Sequence, residues 1–566
     1  MLCGLAPIMP LAGCHVSSPE APLANAVREK ASEVKGDLKQ IGNVSMSGPE
    51  ASGQDDQGRI LWSIKAKSVG TNIGKTDSEH QMVDFVEALA TVYKDGKPDS
   101  VFQAHDAHVD YSGDGTTMNL IHGVRATSSP LATGRAPILL VTPQVDIDIN
   151  KHTVLAKHGV VLTQDTTKIT APILNGDTGL HVARLQGGVS ATNPRGKITA
   201  DQATWNWVTG KAAATGHIRT EHDAMIVTGK QLDADTNVER GTLTGNVVAL
   251  SPQGEARADS VDYDWRDGVL VGRGNVTLKK GSAQLTAERI DTDNQLSAAV
   301  ATGGVVLRQG ATEMHAGQLR TFDKQRNAVA SGGVTLTQGD LQMVADNIAA
   351  DGIDRPQPTQ VVASGNVRAK KGDGSIDARN VTWNGNQVVA TDAVELHKGA
   401  DTLQGRQLTA DMSDGKHFDS AELRGDVHGL LEGGDKVRAG YLLWQQGRVL
   451  AREGVHDERA DLTLDADEMD VTADHNTVML NGHARAITSD GAEVTAEHVR
   501  YLRNAGKVYA YGGVSYRDPQ RQQEGHGDEL TAELQKVGDK IRFGQAHLTN
   551  VTGSSELSKL KSRKPF

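Results

Sequence analysis

Along the middle of the chain apolar residues alternate with polar ones, slip by one position, and resume. In "AQLTAERI" at 283–290, Leu285 and Ala287 fall on one side and Gln284, Thr286 and Glu288 on the other, and the apolar positions then resume at Ile290 rather than Arg289. A period of two is that of a half-buried β-strand, and the slip predicts a corner or bulge between two faces. A polar turn "DTDNQ" at 291–295, a second strand through "LSAAVAT", a tight turn at Gly303–Gly304 and a third strand "VVL" follow, so that 29 residues are expected to supply about three short strands. Closely spaced Gly and abundant Val and Thr disfavour helix.

The unit recurs. "ATGGVVLRQG" at 301–310 returns as "ASGGVTLTQG" at 330–339, and Gly187, Gly216, Gly245, Gly274, Gly303 and Gly332 follow one another at intervals of 29. Looser copies stand at Gly365, Gly425, Gly454, Gly482, Gly512 and Gly544, and "AKHGVVL" near Gly159 reads as an earlier one. Such a period marks a stacked array in which no unit buries its apolar face alone. The phase also holds: Leu285, Met314 and Met343 are 29 apart, as are Ala258, Ala287, Ala316 and Ala345, with Thr286, His315 and Val344 on the outward side. A stripe alternating a large aliphatic with Ala either closes tightly or leaves an apolar trough that something else occupies, because an empty apolar channel forfeits packing contacts. The segment before 151 is strand-rich as well, with Ile60, Trp62, Ile64 and Ala66 on one side of a strand and Ala107, Val109 and Tyr111 on one side of another, but the 29-residue period has not begun there.

Composition narrows the possibilities. A length of 566 residues suggests several domains, yet one pattern runs through most of them, which predicts a single elongated body. Aromatic residues make up 4%, so the interior is filled largely by Val, Leu, Ile and Ala or else is not filled completely. A net charge of −12 argues against a nucleic-acid surface. Cys3 and Cys14 are the two cysteines, which excludes a disulfide framework for the body. Asp residues recur in turns, where turn chemistry suffices to explain them. No HExxH motif or Gly-rich nucleotide loop occurs, and the "HDAH" spacing points His105 and His108 to opposite faces of a strand. Neither an enzyme, a metal site nor a cofactor is expected. The opening "LAGC" at 11–14 resembles a bacterial lipobox, which implies lipid on Cys14 and a place outside the cytoplasm, although no Lys or Arg precedes Arg28. Residues 1–14 then read as a lipoprotein signal, 15–57 as a flexible tether and 551–566 as a disordered polar tail, and no run of 18 apolar residues follows.

Two resemblances give these patterns a meaning. The stretch 58–150, with Trp62 and Ala66, "DGKP" at 95–98, "FQAHDAHVDY" and "LIHGVRA", resembles the LptC family of lipopolysaccharide export. The array at 151–550 resembles the LptA or OstA-like family in its phrases "LTAERI" with "GGVVL", "MVADNI" with "GNVRA", and "LTADM" with "GDVHG". The resemblance implies an all-β fold, an elongated, twisted open β-jellyroll of V-shaped two-sheet layers with acyl chains held between the sheets. It also implies a periplasmic bridge, probed below, that passes lipopolysaccharide or another envelope glycolipid from an inner-membrane ATP-driven lipid exporter toward outer-membrane assembly proteins. The lining positions carried over are Val276, Leu278, Leu285, Val305, Leu307, Met314, Val334, Leu336 and Met343. The chain departs from these families in offering a lipidated Cys14 where LptC proteins carry a transmembrane helix, and in joining many units in one chain where LptA proteins are short. A lipid-anchored, adhesin-like scaffold with a dry core is the alternative reading of the same periodicity.

Overall fold

The computed structural model describes residues 39–551, apart from 42–43, 48, 70–74, 78–79, 113–114, 130–135, 323–325, 353–358, 373, 412–418, 432–433, 460–461 and 539. Cys14 lies outside them, as does the tail from 552 onward. The described residues are all-β, and their strands pair antiparallel with near neighbours in sequence, as Leu285 pairs with Leu307 and Leu307 with Met314. The fold is a β-jellyroll of stacked, folded strands, and the chain divides into two compact units, one up to Gly272 and one from Arg273.

In the first unit the strands begin earlier than composition suggests. Val44–Ser47 pairs with Glu50–Gln54, and Glu50–Gln54 with Ile60–Lys65, so the stretch read as a tether to residue 57 is part of the sheet from Lys39 on. Gly53, one of the residues that made it look flexible, is buried against the Trp62 indole, and the buried Ala51 faces Ile64 across the pair. His80–Lys94 and Lys97–Ser112 then form a long hairpin closed by Asp95–Gly96, both at positive φ (50° and 73°), the geometry in which a two-residue turn matches the twist of its strands. Trp62, Phe85, Phe102, Leu120, Leu140 and Trp207 are fully buried in this unit's core, together with Ala107, Val109 and Tyr111.

Regular repeats consist of two long strands, where three short ones were expected. Ala283–Asp293 and Ala298–Gln309 form one repeat, and Thr312–Phe322 and Asn327–Gln338 the next. The expected turn at Gly303–Gly304 is a bulge inside a continuous strand: both residues have positive φ (79° and 55°), and the pairing jumps from Thr302↔Gln318 to Val305↔Ala316. Two residues of one strand thus oppose one of the next, which bends the strand sharply without ending it. The same jump stands at Ser331/Val334, Ser364/Val367, Asn481/Ala484 and Tyr511/Val514, so these strands are folded at the same level into two halves. In the first unit the corner goes as far as a break. Thr153–Lys157 and Val160–Gln164 part at His158–Gly159, and Thr167–Ala171 and Ile173–Asp177 part at Pro172, which cannot donate to a ladder and whose carbonyl accepts from Gly159 N at 3.1 Å.

The recurring phrase of the sequence is this corner. Ala287, Ala345, Ala466 and Ala496 point inward beside it and are 7%, 2%, 7% and 7% exposed. The acid that follows each one points outward and lies over the Gly of the next strand. A Cβ on Gly303 would sit 2.5 Å from Glu288 Oε2, on Gly365 2.2 Å from Asp346 Oδ2, and on Gly482 2.4 Å from Asp467 Oδ2. Positive φ and the covering carboxylate together leave room for Gly alone.

Candidate functional site: an apolar row inside the folded strands

Side chains alternate across each half-strand, so one row from every strand faces the inside of the fold. In the second unit the first halves align Leu285 with Leu307, Leu307 with Met314, Met314 with Leu336 and Leu336 with Met343, and the row continues through Ala369, Ile376, Leu396 and Leu403. Five of the nine lining residues named from the sequence therefore form one uninterrupted row. Val305 and Val334 stand next to the corner, opposite Ala316 and Ala345, and Val276 and Leu278 occupy the corresponding places on Val269–Lys280. Seven of the nine are buried, whereas Leu307 and Leu336 stay half-exposed, and His315 and Val344, next to Met314 and Met343 in sequence, point outward and are exposed.

Beyond the corner a second row was missed by the sequence reading. Ile290 faces Ala301, Ala301 faces Leu319, Leu319 faces Ala330 and Ala330 faces Ile348, all at most 4% exposed. Its signal was present in the alternation resuming at Ile290, but a single phase carried across the slip assigns these residues to the wrong face. In the C-terminal part of this unit Leu464, Ala486 and Val494 of the first row and Met469, Leu480 and Val499 of the second belong to one packed core, so the two halves face each other.

Exposure along the first row is uneven. Leu307, Leu336, Ala369, Leu396 and Leu403 are half-exposed, while Leu464, Ala486 and Val494 are at 0%. Met314, Met343 and Ile376, between the half-exposed positions, are buried, so in the section 298–430 solvent reaches the apolar row in part. An apolar face with few polar groups suits contact with hydrocarbon.

Polar chemistry gathers on the outer side of the corner. Acids that cover the bulge glycines also hold the residue after them: His217 Nδ1 lies 2.8 Å from Asp201 Oδ2, His483 Nδ1 2.8 Å from Asp467 Oδ2, and Asn366 Nδ2 donates to Asp346 Oδ2 at 3.1 Å. Asp467 raises the His483 imidazole above its ordinary value through that hydrogen bond and its charge. His105 and His108 do not form a pair. A bulge between Gln103 and Asp106 turns His105 toward His122, with the two Nδ1 atoms 3.0 and 2.5 Å from Asp106 Oδ2, while His108 bonds Asp84 at 2.6 Å. Those two imidazoles hold the Asp106 carboxyl below its usual range, His122 contributing most. The cluster is the corner dyad of the repeats with one imidazole added, and it shares no residue with the apolar row. A separate shallow groove on the first unit, between Val141, Pro143, Val161, Pro172 and Ile173, shares no residue with the row either.

Residues 30–194 match the family described as lipopolysaccharide-assembly, LptC-related, and residues 320–416 match the LptA/LptD N-terminal domain family of lipopolysaccharide transport proteins. No curated protein matches the chain. Among solved structures, the chain is similar to LptH of Pseudomonas aeruginosa, titled the LptA-homologous periplasmic component of the lipopolysaccharide transport device. That likeness has 22% identity and a TM-score of 0.18, and it covers 19% of this chain and 80% of the other. The chain is thus LptC-like and LptA-like: one segment is similar to the LptC-related family, and a later one in the same polypeptide is similar to the LptA/LptD N-terminal domain family.

Proposed function

We propose that this protein is a non-enzymatic component of a periplasmic bridge that carries lipopolysaccharide, or a related envelope glycolipid, with its acyl chains in the cleft between the half-sheets and its polar head at the mouth. The observation that carries the reading is the unbroken apolar row from Leu285 to Leu403, half-exposed over much of its length. Leaving such a surface to water is costly, and so is moving lipid without one. Each acyl CH₂ contributes about 0.8 kcal/mol on burial, so one chain of about twelve carbons gains roughly 10 kcal/mol from a continuous cleft. A stack of strands supplies that surface at about 4.8 Å per strand, for as many layers as are added. The matched families are described by lipopolysaccharide assembly and transport, which favours this reading over a dry scaffold. An inner-membrane ATP-driven exporter would load the cleft and outer-membrane assembly proteins would receive the cargo, with lipid on Cys14 holding the chain at a membrane. Neither catalytic residues nor a cofactor are needed.

The test is site-specific photo-crosslinking in cells that make lipopolysaccharide. Probes at Met314 and Leu336 are expected to become attached to the glycolipid, and probes at the outward His315 and Val344 are not. Lipid-free protein from all four positions sinks the transport reading and leaves the scaffold.

A further inference from the structure

The apolar row changes character at one layer. From Gly429 it passes to Val437, then to Asp457, and only then to Leu464, Ala486 and Val494. Asp457 is fully buried, and its carboxylate accepts a hydrogen bond of 2.6 Å from Arg459 Nε, on a side chain itself only 5% exposed. The same Nε lies 3.9 Å from Asp435 Oδ2, which accepts from Arg503 at 3.0 Å. Asp435 stands at the free edge of the first half-sheet, just before Lys436–Gln445, and Arg503 at the free edge of the second half, just after Glu493–Leu502. Four strand steps separate them along the ladder, roughly 19 Å at about 4.8 Å each. A contact of 3.0 Å therefore crosses the mouth from one half to the other. Beyond this layer the mouth is tied again: the Ile541 amide donates to Ser489 Oγ at 2.7 Å, and Arg521 donates to the carbonyls of Phe543 and Gly544 at 3.0 and 3.2 Å.

We propose that the Asp435–Arg459–Asp457–Arg503 cluster is the end-stop of the lipid-accessible cleft. Acyl chains lie along the row only as far as Val437, cargo passes in or out sideways through the open mouth beside Ser420–Leu430, and the section from Leu462 to Thr549 is a closed, lipid-free platform. The physical reason is twofold. Hydrocarbon cannot pass the closed mouth without breaking the Asp435–Arg503 contact, and it cannot lie against Asp457 without stranding a buried charge pair in an apolar environment. This inference rests on the lipid-carrying reading, and the experiment separates the two.

A diazirine side chain of leucine size is placed at Leu336, Leu403, Leu464 or Val494 of the full chain and irradiated in cells. Leu336 and Leu403 are expected to give glycolipid adducts, and Leu464 and Val494 at least tenfold fewer. Comparable adducts at all four positions overturn the end-stop and leave the transport reading standing. Adducts at none overturn transport itself, and the end-stop with it. To assign the stop to the cluster, Asp457→Leu with Arg459→Leu makes the row apolar throughout, and labelling at Leu464 is expected to rise toward that at Leu336. A folded double variant whose Leu464 stays unlabelled overturns the cluster's role. If the double variant does not fold, Arg503→Gln, which unties the mouth and keeps the buried pair, is expected to raise labelling at Leu464 several-fold, and unchanged labelling counts against the proposal equally.

Discussion

Replacing Gly365 by Ala isolates what the corner demands of its sequence. Gly365 has φ 75°, and an added Cβ would lie 2.2 Å from Asp346 Oδ2. The left-handed backbone alone costs a residue with a Cβ about 1–2 kcal/mol. The Asp346 carboxylate must also swing away and lose its 3.1 Å bond to Asn366, which adds about 0.5–1 kcal/mol for an exposed hydrogen bond. The sum is about 1.5–3 kcal/mol. Gly333 serves as the control, because its φ is 73° but nothing lies within 4 Å of the Cβ position, so Gly333→Ala should carry the backbone cost alone. Amide hydrogen exchange on Gln360–Lys371 and on Asn327–Gln338 reads local opening of each strand. At about 1.4 kcal/mol per tenfold, Gly365→Ala should speed exchange of its strand by roughly 10- to 150-fold and Gly333→Ala by roughly 5- to 30-fold. Adding Asp346→Ala to Gly365→Ala should bring the larger effect down to the smaller. Equal effects at the two glycines, or no relief in the double variant, would refute the covering-acid account.

Three further outcomes test other links. Leu285→Asp buries a charge without a partner and should destabilise its hairpin by several kcal/mol, about 3 or more, whereas Thr286→Asp next to it should cost under about 1 kcal/mol; matching losses in denaturant melts contradict the strand phase. Leu464→Ala, at a fully buried position, should cost about 3–5 kcal/mol and Leu307→Ala, at a half-exposed one, about 1–2 kcal/mol, so similar melting shifts would contradict the change from open to closed cleft. His483, raised by Asp467, should titrate in the folded protein above the ordinary value of about 6.5. Its pairing is fully present below that value and lost as pH rises through the raised one, and Asp467→Asn should return the NMR titration of the ring to the ordinary value, a result the proposed pair does not survive if the midpoint stays put.

Much of this architecture is legible in the sequence because its units are local. The period-two phase placed Leu285, Met314 and Met343 on one inner row, and the step of 29 carried it from copy to copy. What the phase could not convey was continuity: Gly303–Gly304 reads as a turn because tight turns and bulges use the same positive φ, and only the pairing of Val305 with Ala316 shows that the strand goes on. The second row was lost for the same reason, since a bulge shifts every later residue to the other face. Asp457 and Arg503 were illegible for a different reason. Arg503 meets Asp435 across 68 residues of chain, over a mouth whose width depends on how two halves fold over one another, and Asp457 joins that contact only through Arg459. The strands at 44–54 were hidden by composition, because Gly and Ser inside a sheet look the same in sequence as Gly and Ser that link domains.

Because each folded strand in the array pairs with its neighbours in sequence and bends at its own bulge, length is a variable this fold can change without renegotiating anything else. The interval from Gly332 to Gly365 is 33 rather than 29, and the extra residues fall between Leu341–Asp351 and Gln360–Lys371, where Met343 still pairs with Ala369. Duplication or loss of one unit would add or remove two strand spacings, about 10 Å, and leave every remaining register intact. A chain written in this way can be fitted over generations to the width of the compartment it serves, one repeat at a time.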